Sequence, residues 1–265
     1  MYMSGAFGDI LDDEHSTSIK RTIEYSRGEY RLQSMCEWVG DVEVDFVCSD
    51  PPFGIDFSGK KSNYNRDSDN VVDGYVEWGN NEYETKVHTL LDVIDDVTHS
   101  DGHGCIFSGW NNSHKIHQTI EDHETLNLEG KLYWNYNFAP YCKRRPAHNV
   151  YEVFWVTKSD EYYYTNECSY DHCQEGEANL SAIDVNREYI QEMPKYPTRL
   201  PPKIVAILIE HFTSDDDIVL DPLAGSGTIG LVADEMEREW YCGDSNSEAL
   251  DVFDETTTEL TGDIV

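Results

Sequence analysis

Ser49-Asp50-Pro51-Pro52-Phe53 sets a carboxylate, two consecutive imino acids and an aromatic ring side by side. A carboxylate and a neighbouring main-chain carbonyl can accept the two hydrogens of an exocyclic amine on a flat ring. The prolines restrict the backbone so that both acceptors keep one direction, and Phe53 offers a stacking face. About 170 residues later comes Asp221-Pro222-Leu223-Ala224-Gly225-Ser226-Gly227-Thr228. Its glycines permit a tight turn and close approach of a ligand, and a helix starting at Thr228 adds the positive end of its dipole. The string lacks the spacing of a phosphate loop and no lysine follows it, which disfavours ATP. Asp244, ending the next apolar run, stands where an acid can hold two ribose hydroxyls.

These residues need strand ends to hold them. Val42 to Cys48 reads as a strand leading into Asp50, and its run Phe46-Val47-Cys48 suits a strand buried on both faces. Asp217 to Asp221 is a second strand, Thr228 to Glu237 a helix, and Trp240 to Gly243 a third strand ending at Asp244. The spacing of Val87, Leu90, Leu91 and Ile94 predicts a helix over Tyr83–Val97, followed by a strand over Gly104–Ser108. Asn112 or Ser113 can cap a helix reaching about Asp122. Further strands are expected at Tyr30–Leu32, Lys131–Phe138 and Val150–Thr157. Pro201-Pro202 starts an apolar helix over Lys203–Phe212. Residues 58–80 read as a long polar loop, and residues 159–193 as an acidic, tyrosine-rich segment without periodicity. Strands alternating with helices argue for a doubly wound α/β sheet, whose ligands sit at the C-terminal strand ends.

The two strings, in this order, resemble the DNA amino-methyltransferases of the permuted (β) class, where the catalytic tetrapeptide precedes the cofactor glycines. The likeness covers nearly the whole chain. It implies a Rossmann-like, circularly permuted methyltransferase sheet over residues 19–265 that uses S-adenosylmethionine. It makes Asp50, Pro51, Pro52 and Phe53 catalytic, with the target base leaving the duplex to stack on Phe53. It assigns Asp221, Pro222, Gly225, Ser226, Gly227, Thr228 and Asp244 to the cofactor; Leu223 replaces the usual Phe. Tyr196-Pro197-Thr198-Arg199-Leu200-Pro201 is similar to the family's His-Pro-Thr-x-Lys-Pro segment, which adds Thr198, while Tyr196 and Leu200 replace the His and Lys. The strand near Tyr30 implies a third cofactor edge; Gln33-Ser34 stands where an acid is usual. Asp-Pro-Pro-Phe favours adenine N6 over cytosine N4. A non-catalytic cofactor- or DNA-binding module and methylation of RNA or protein are the competing readings.

Composition sets the surroundings. The 265 residues carry 52 Asp and Glu against 19 Lys and Arg, a net charge of −33. Hydrophobic residues make up 39%, below the ~45–50% of an ordinary soluble domain. Six Trp, nine Phe and seventeen Tyr argue against disorder. The expectation is a folded protein with a carboxylate-saturated surface, as in salt-accumulating halophiles, where a Debye length of ~3 Å at ~1 M salt screens self-repulsion. Residues 1–18 read as an acidic tail, with no signal peptide and no membrane span. Seven scattered cysteines suggest a reducing cytoplasm, and the spacing of Cys168, His172 and Cys173 fits no zinc pattern.

A polyanion partner requires positive charge somewhere on this chain. Nine of the 19 basic residues fall in three short segments: Lys60, Lys61 and Arg66; Lys143, Arg144 and Arg145; Lys195, Arg199 and Lys203. The first two segments are expected to project from the strand-end face as a local footprint for double-stranded DNA. Residues 159–193 are the expected target-recognition segment. A restriction endonuclease and a second copy of the chain are the further partners that the resemblance implies.

Overall fold

The computed structural model describes residues 21–54, 77–137, 143–144, 146–166, 181–187, 196, 199–259 and 264. Its centre is a nine-stranded mixed sheet. In chain order the strands are β1 (Thr22–Tyr25), β2 (Gly28–Leu32), β3 (Val44–Ser49), β4 (Thr98–Ser108), β5 (Asn127–Asn135), β6 (Val150–Thr157), β7 (Ala182–Asp184), β8 (Ile218–Asp221) and β9 (Glu239–Asp244). The helices are α1 (Tyr83–Val97), α2 (Ser113–Glu121), α3 (Pro202–Phe212), α4 (Thr228–Glu235) and α5 (Ser247–Glu259), with a 3₁₀ turn at Met35–Trp38. Across the sheet the order is β1-β2-β9-β8-β3-β4-β6-β5-β7.

Strands β2, β9, β8, β3 and β4 run parallel, whereas β6 lies antiparallel between β4 and β5. Side chains alternate between two cores, as a pleated strand requires. Phe46, Cys48, Cys105 and Phe107 face α3, α4 and α5. Val44, Val47 and Ile106 face α1, α2 and the 3₁₀ turn. The middle of the sheet is therefore covered on both sides, which is why Phe46-Val47-Cys48 of β3 and Cys105-Ile106-Phe107 of β4 are apolar without a break, while β1 and β5 keep exposed polar positions.

Several expected elements shift. The strand expected over Lys131–Phe138 runs Asn127–Asn135, displaced because its register follows β6. The strand expected from Gly104 begins at Thr98, with a register shift against β3 between Val44 and Phe46. Three elements lie outside the expected set: β1, β7 and α5. Most of the loop expected at 58–80, the tail 1–18 and the cluster Cys168, His172, Cys173 lie outside the described residues.

Of the segment 159–193, the described parts belong to the sheet and its cover. Tyr162 and Tyr164 pack on Trp155 at 4.8 and 5.6 Å between ring centres, at the sheet edge opposite the Asp50 end. Residues 182–184 form β7 beside β5. The termini of β5 and β7 then emerge at the same edge as the end of β3, because β6 reverses direction once between β4 and β5.

Candidate active site

Parallel pairing decides where the two motifs stand. Phe46 and Val47 of β3 lie opposite Val219 and Leu220 of β8. Continuing that register sets Cys48 opposite Asp221, with Asp50 two residues further along the same edge. The two motifs are neighbours.

The glycine turn is built around Asp244. One of its carboxylate oxygens accepts the Gly225 N–H at 3.0 Å and the other the Asn246 N–H at 2.8 Å. Ala224 N–H donates to the Gly243 carbonyl at 2.9 Å, and the Tyr30 hydroxyl donates to the Gly225 carbonyl at 2.7 Å. Gly227 has φ +75°, and a Cβ there would meet Phe253 at 2.4 Å, so only glycine fits. Above Gly225 lies Tyr196, whose hydroxyl would stand 3.2 Å from an added Cβ. The Ser226 and Thr228 hydroxyls are 3.2 Å apart at the start of α4. Asp221 is 2% exposed; it accepts the Leu223 N–H at 3.1 Å, and burial pushes its carboxyl well above the usual range. Pro222 is buried beside it.

This turn fits a nucleoside cofactor. Each oxygen of Asp244 keeps a lone pair after its backbone contact, so hydroxyls can still bind there. Gln33, at the end of β2, donates its own N–H to the Asp244 carbonyl at 3.0 Å. Its side-chain Nε2 is buried with no hydrogen-bond partner among the described residues. A buried donor left without a partner costs stability, and a bound ligand edge would satisfy it. Thr198 lies outside the described residues.

The catalytic loop is clamped from outside the motif. Asn112, expected as a helix cap, makes no capping hydrogen bond. Its Nδ2 instead donates to the Phe53 and Gly54 carbonyls at 2.7 and 3.1 Å. Gly54 N–H donates to Glu77. Gly54 has φ +66°, and a Cβ would lie 2.5 Å from Tyr83. Pro51 is buried and Pro52 half-buried.

Oδ1 of Asp50 is shielded from solvent and has no hydrogen-bond partner among the described residues. Burial raises its pKa from 3.8 to about 7, and the Arg187 guanidinium pulls the other way. The result is an acceptor without a donor, which can take an amine hydrogen once ionised.

Aromatic rings line the adjoining wall. Phe53 lies 5.2 Å from Tyr151, which stacks on Trp134 at 5.1 Å; Tyr136 lies 5.4 Å from Trp134. Arg187 lies over these last three rings. At the lip, Trp110 stacks on His148 with ring centres 4.3 Å apart. Sequence reasoning missed Asn112 as a clamp, Arg187 and this wall; the run of aromatics at 133–138 was the available signal.

Among the basic residues, Lys143 and Arg144 are exposed, in the connection between β5 and β6 that opens at the Asp50 edge. Lys60, Lys61, Arg66 and Arg145 lie outside the described residues.

A family model described as DNA methylase, covering both N6 and N4 enzymes, matches residues 44–255. The chain belongs to the N6/N4 DNA methylase family. Among curated members, it is 24% identical over 222 residues to the Type II methyltransferase M2.DpnII of Streptococcus pneumoniae, across 79% of this chain and 80% of that one. It is 23% identical over 237 residues to M.BglII of Bacillus subtilis, across 81% of this chain. It is 30% identical over 129 residues to M.XycI of Xanthomonas campestris pv. cyanopsidis, across 46% of this chain. The alignments span 63% of the length of M.BglII and 41% of M.XycI. The fold is similar to that of M1.HpyAVI solved with S-adenosylmethionine, with TM-score 0.65 and 18% identity over 88% of this DNA methylase and 100% of that chain. The cytosine-N4-specific PvuII DNA methyltransferase gives TM-score 0.66 at 16% identity, over 89% and 94% of the two chains.

Proposed function

We propose that this chain is an S-adenosylmethionine-dependent DNA methyltransferase of the permuted class, acting on the exocyclic N6 of adenine. The observation that carries the reading is the adjacency of Asp50 and the Asp221 turn at neighbouring parallel strand ends. Asp244, Gln33, Tyr196 and the Gly225–Gly227 turn would hold S-adenosylmethionine, with Thr198 assigned to it by the family resemblance, and the bound cofactor would supply an activated methyl group.

The remaining chemistry belongs to the chain. An aromatic amine is a poor nucleophile because its lone pair is delocalised into the ring. The Asp50 carboxylate and the Pro51 carbonyl accept its two hydrogens and draw the nitrogen toward tetrahedral geometry. The rigid prolines and the Asn112 clamp hold those acceptors still, and Phe53 carries the flipped base. Nitrogen gains the methyl group and gives up one proton, for which Asp50 is the near acceptor. Orientation of this kind can supply ~7–11 kcal/mol of the barrier.

Duplex DNA approaches over Lys143, Arg144 and the basic residues at 60–66, with residues 167–180 and 188–193 reading the target. Because salt steeply weakens phosphate contacts, recognition in a salt-rich cytoplasm leans on base edges and shape. A cognate restriction endonuclease and a paired copy of the chain complete the proposal.

A cytosine-N4 reading draws support from the PvuII likeness. One experiment separates the two. DNA treated with the protein and methyl donor in multi-molar KCl is digested to nucleosides and weighed. N6-methyladenine is expected; N4-methylcytosine would overturn the base assignment. Asp50→Ala should abolish methylation while cofactor binding survives, and equal methylation by both proteins would refute the site.

A further inference from the structure

We propose that Arg187 is a positioning residue for amine methylation, held over the rings of Trp134, Tyr136 and Tyr151 so that its charge reaches Asp50 while Oδ1 of that carboxylate stays open. This rests on the methyltransferase reading of the Asp50 site.

The backbone places Arg187 deliberately. Trp134 and Asn135 of β5 pair with Ile183 and Asp184 of β7. Val185 N–H then donates to the Asn135 carbonyl at 3.0 Å, and the Trp134 indole N–H donates to the Val185 carbonyl at 2.8 Å. Two residues later the guanidinium carbon lies 5.2, 4.8 and 5.2 Å from the ring centres of Trp134, Tyr136 and Tyr151. Rings at this distance attract a cation through their negative faces. Its Nε is buried with no hydrogen-bond partner among the described residues. This occurs in a chain with 52 carboxylates for 19 cations. An arginine meant only to neutralise charge would clasp a carboxylate through both nitrogens.

That offset suits the chemistry. A bidentate pair would fill both carboxylate oxygens, one of which must accept an amine hydrogen, whereas Asp50 Oδ1 stays open. The other groups around Asp50 are acids: Asp221 from β8, Tyr83 from α1, Tyr151 from β6 and Cys48 on its own strand. Among the described residues Arg187 is the cation that faces them, and its attraction opposes the burial that protonates Asp50.

The test follows Asp50 itself. The 13C resonance of its carboxyl is titrated in cofactor-free wild type, R187K and R187Q, alongside pH profiles of single-turnover methylation. Removing an opposite charge at this range should raise the Asp50 midpoint by about one pH unit in R187Q, while R187K stays near wild type. The acid limb of the rate should move by the same interval, with cofactor affinity unchanged. Should R187Q not fold, R187M, which keeps the apolar stem, takes its place. A midpoint that is the same with and without the charge overturns the proposal, whatever the enzyme does. A shifted midpoint in a protein that methylates nothing would sustain the electrostatic role and sink the methyltransferase reading.

Discussion

Asp50→Asn should make the protein more stable at alkaline pH, because the wild-type carboxylate is held where its charge is poorly solvated. Its Oδ1 is buried without a partner among the described residues, and its pKa is raised to about 7. In the unfolded chain the same group titrates near ~3.9. Between those values the unfolded state has lost the proton and the folded state keeps it. Wild-type stability therefore falls as pH rises from about 4 to about 7, then levels. An interval of about three pH units at ~1.36 kcal/mol each sets an upper bound of ~4 kcal/mol. The residue retains partial solvent access, so roughly 2–4 kcal/mol is expected after allowing for screening. At ~2–4 °C per kcal/mol, the Asn variant should melt roughly 5–15 °C above wild type at alkaline pH. Near pH 4 the two should coincide. Melting curves of cofactor-free protein at fixed KCl read this directly. A gap that does not change with pH, or a variant that melts lower at alkaline pH, refutes the reasoning.

Four further outcomes are expected. Gly227→Ala combines left-handed strain of ~1–2 kcal/mol with a clash on Phe253, so it should destabilise by roughly 3 kcal/mol and lose cofactor binding. Gly40→Ala, with φ +73° and open space, should show the strain alone in the same denaturation assay. Lys143→Ala and Arg144→Ala should each lower the log–log salt slope of DNA binding by ~0.9 in a fluorescence titration; an unchanged slope removes that residue from the interface. Finally, raising KCl should increase the melting temperature monotonically, since screening relieves a net charge of −33. A fall over the same range would contradict that origin.

The parts of the fold visible in sequence were those whose pattern is local. Helix α1 coincides with its expectation over Tyr83–Val97, because Val87, Leu90, Leu91 and Ile94 mark one buried stripe. Strand β6 matches equally well. Helix α5 escaped notice because Thr256, Thr257 and Thr258 disfavour a helix. It forms where Phe253 packs on Tyr30 at 4.9 Å. Three-residue β7 exists through its pairing with Trp134 and its neighbours, which no local pattern encodes. The site divides the same way. Asp50 and the glycines were legible because each motif is continuous. Asn112 looked like an ordinary cap, and Arg187 like one more loop cation. Their roles arise from contacts 36 or more residues away in the chain.

The strand order has a consequence for synthesis. Strand β2 borders only its hairpin partner β1 and β9. Residues 22–32 therefore remain an isolated hairpin, marginal in water, until residues 239–244 have been made. Tyr30 likewise waits for Gly225. Growth on the ribosome cannot lay this sheet down from one side to the other. The ligand-holding half closes late and through distant contacts, so its assembly should be slow for the protein's size. A nascent chain interrupted before β9 would expose the flank of β8, an open invitation to mispair with another chain.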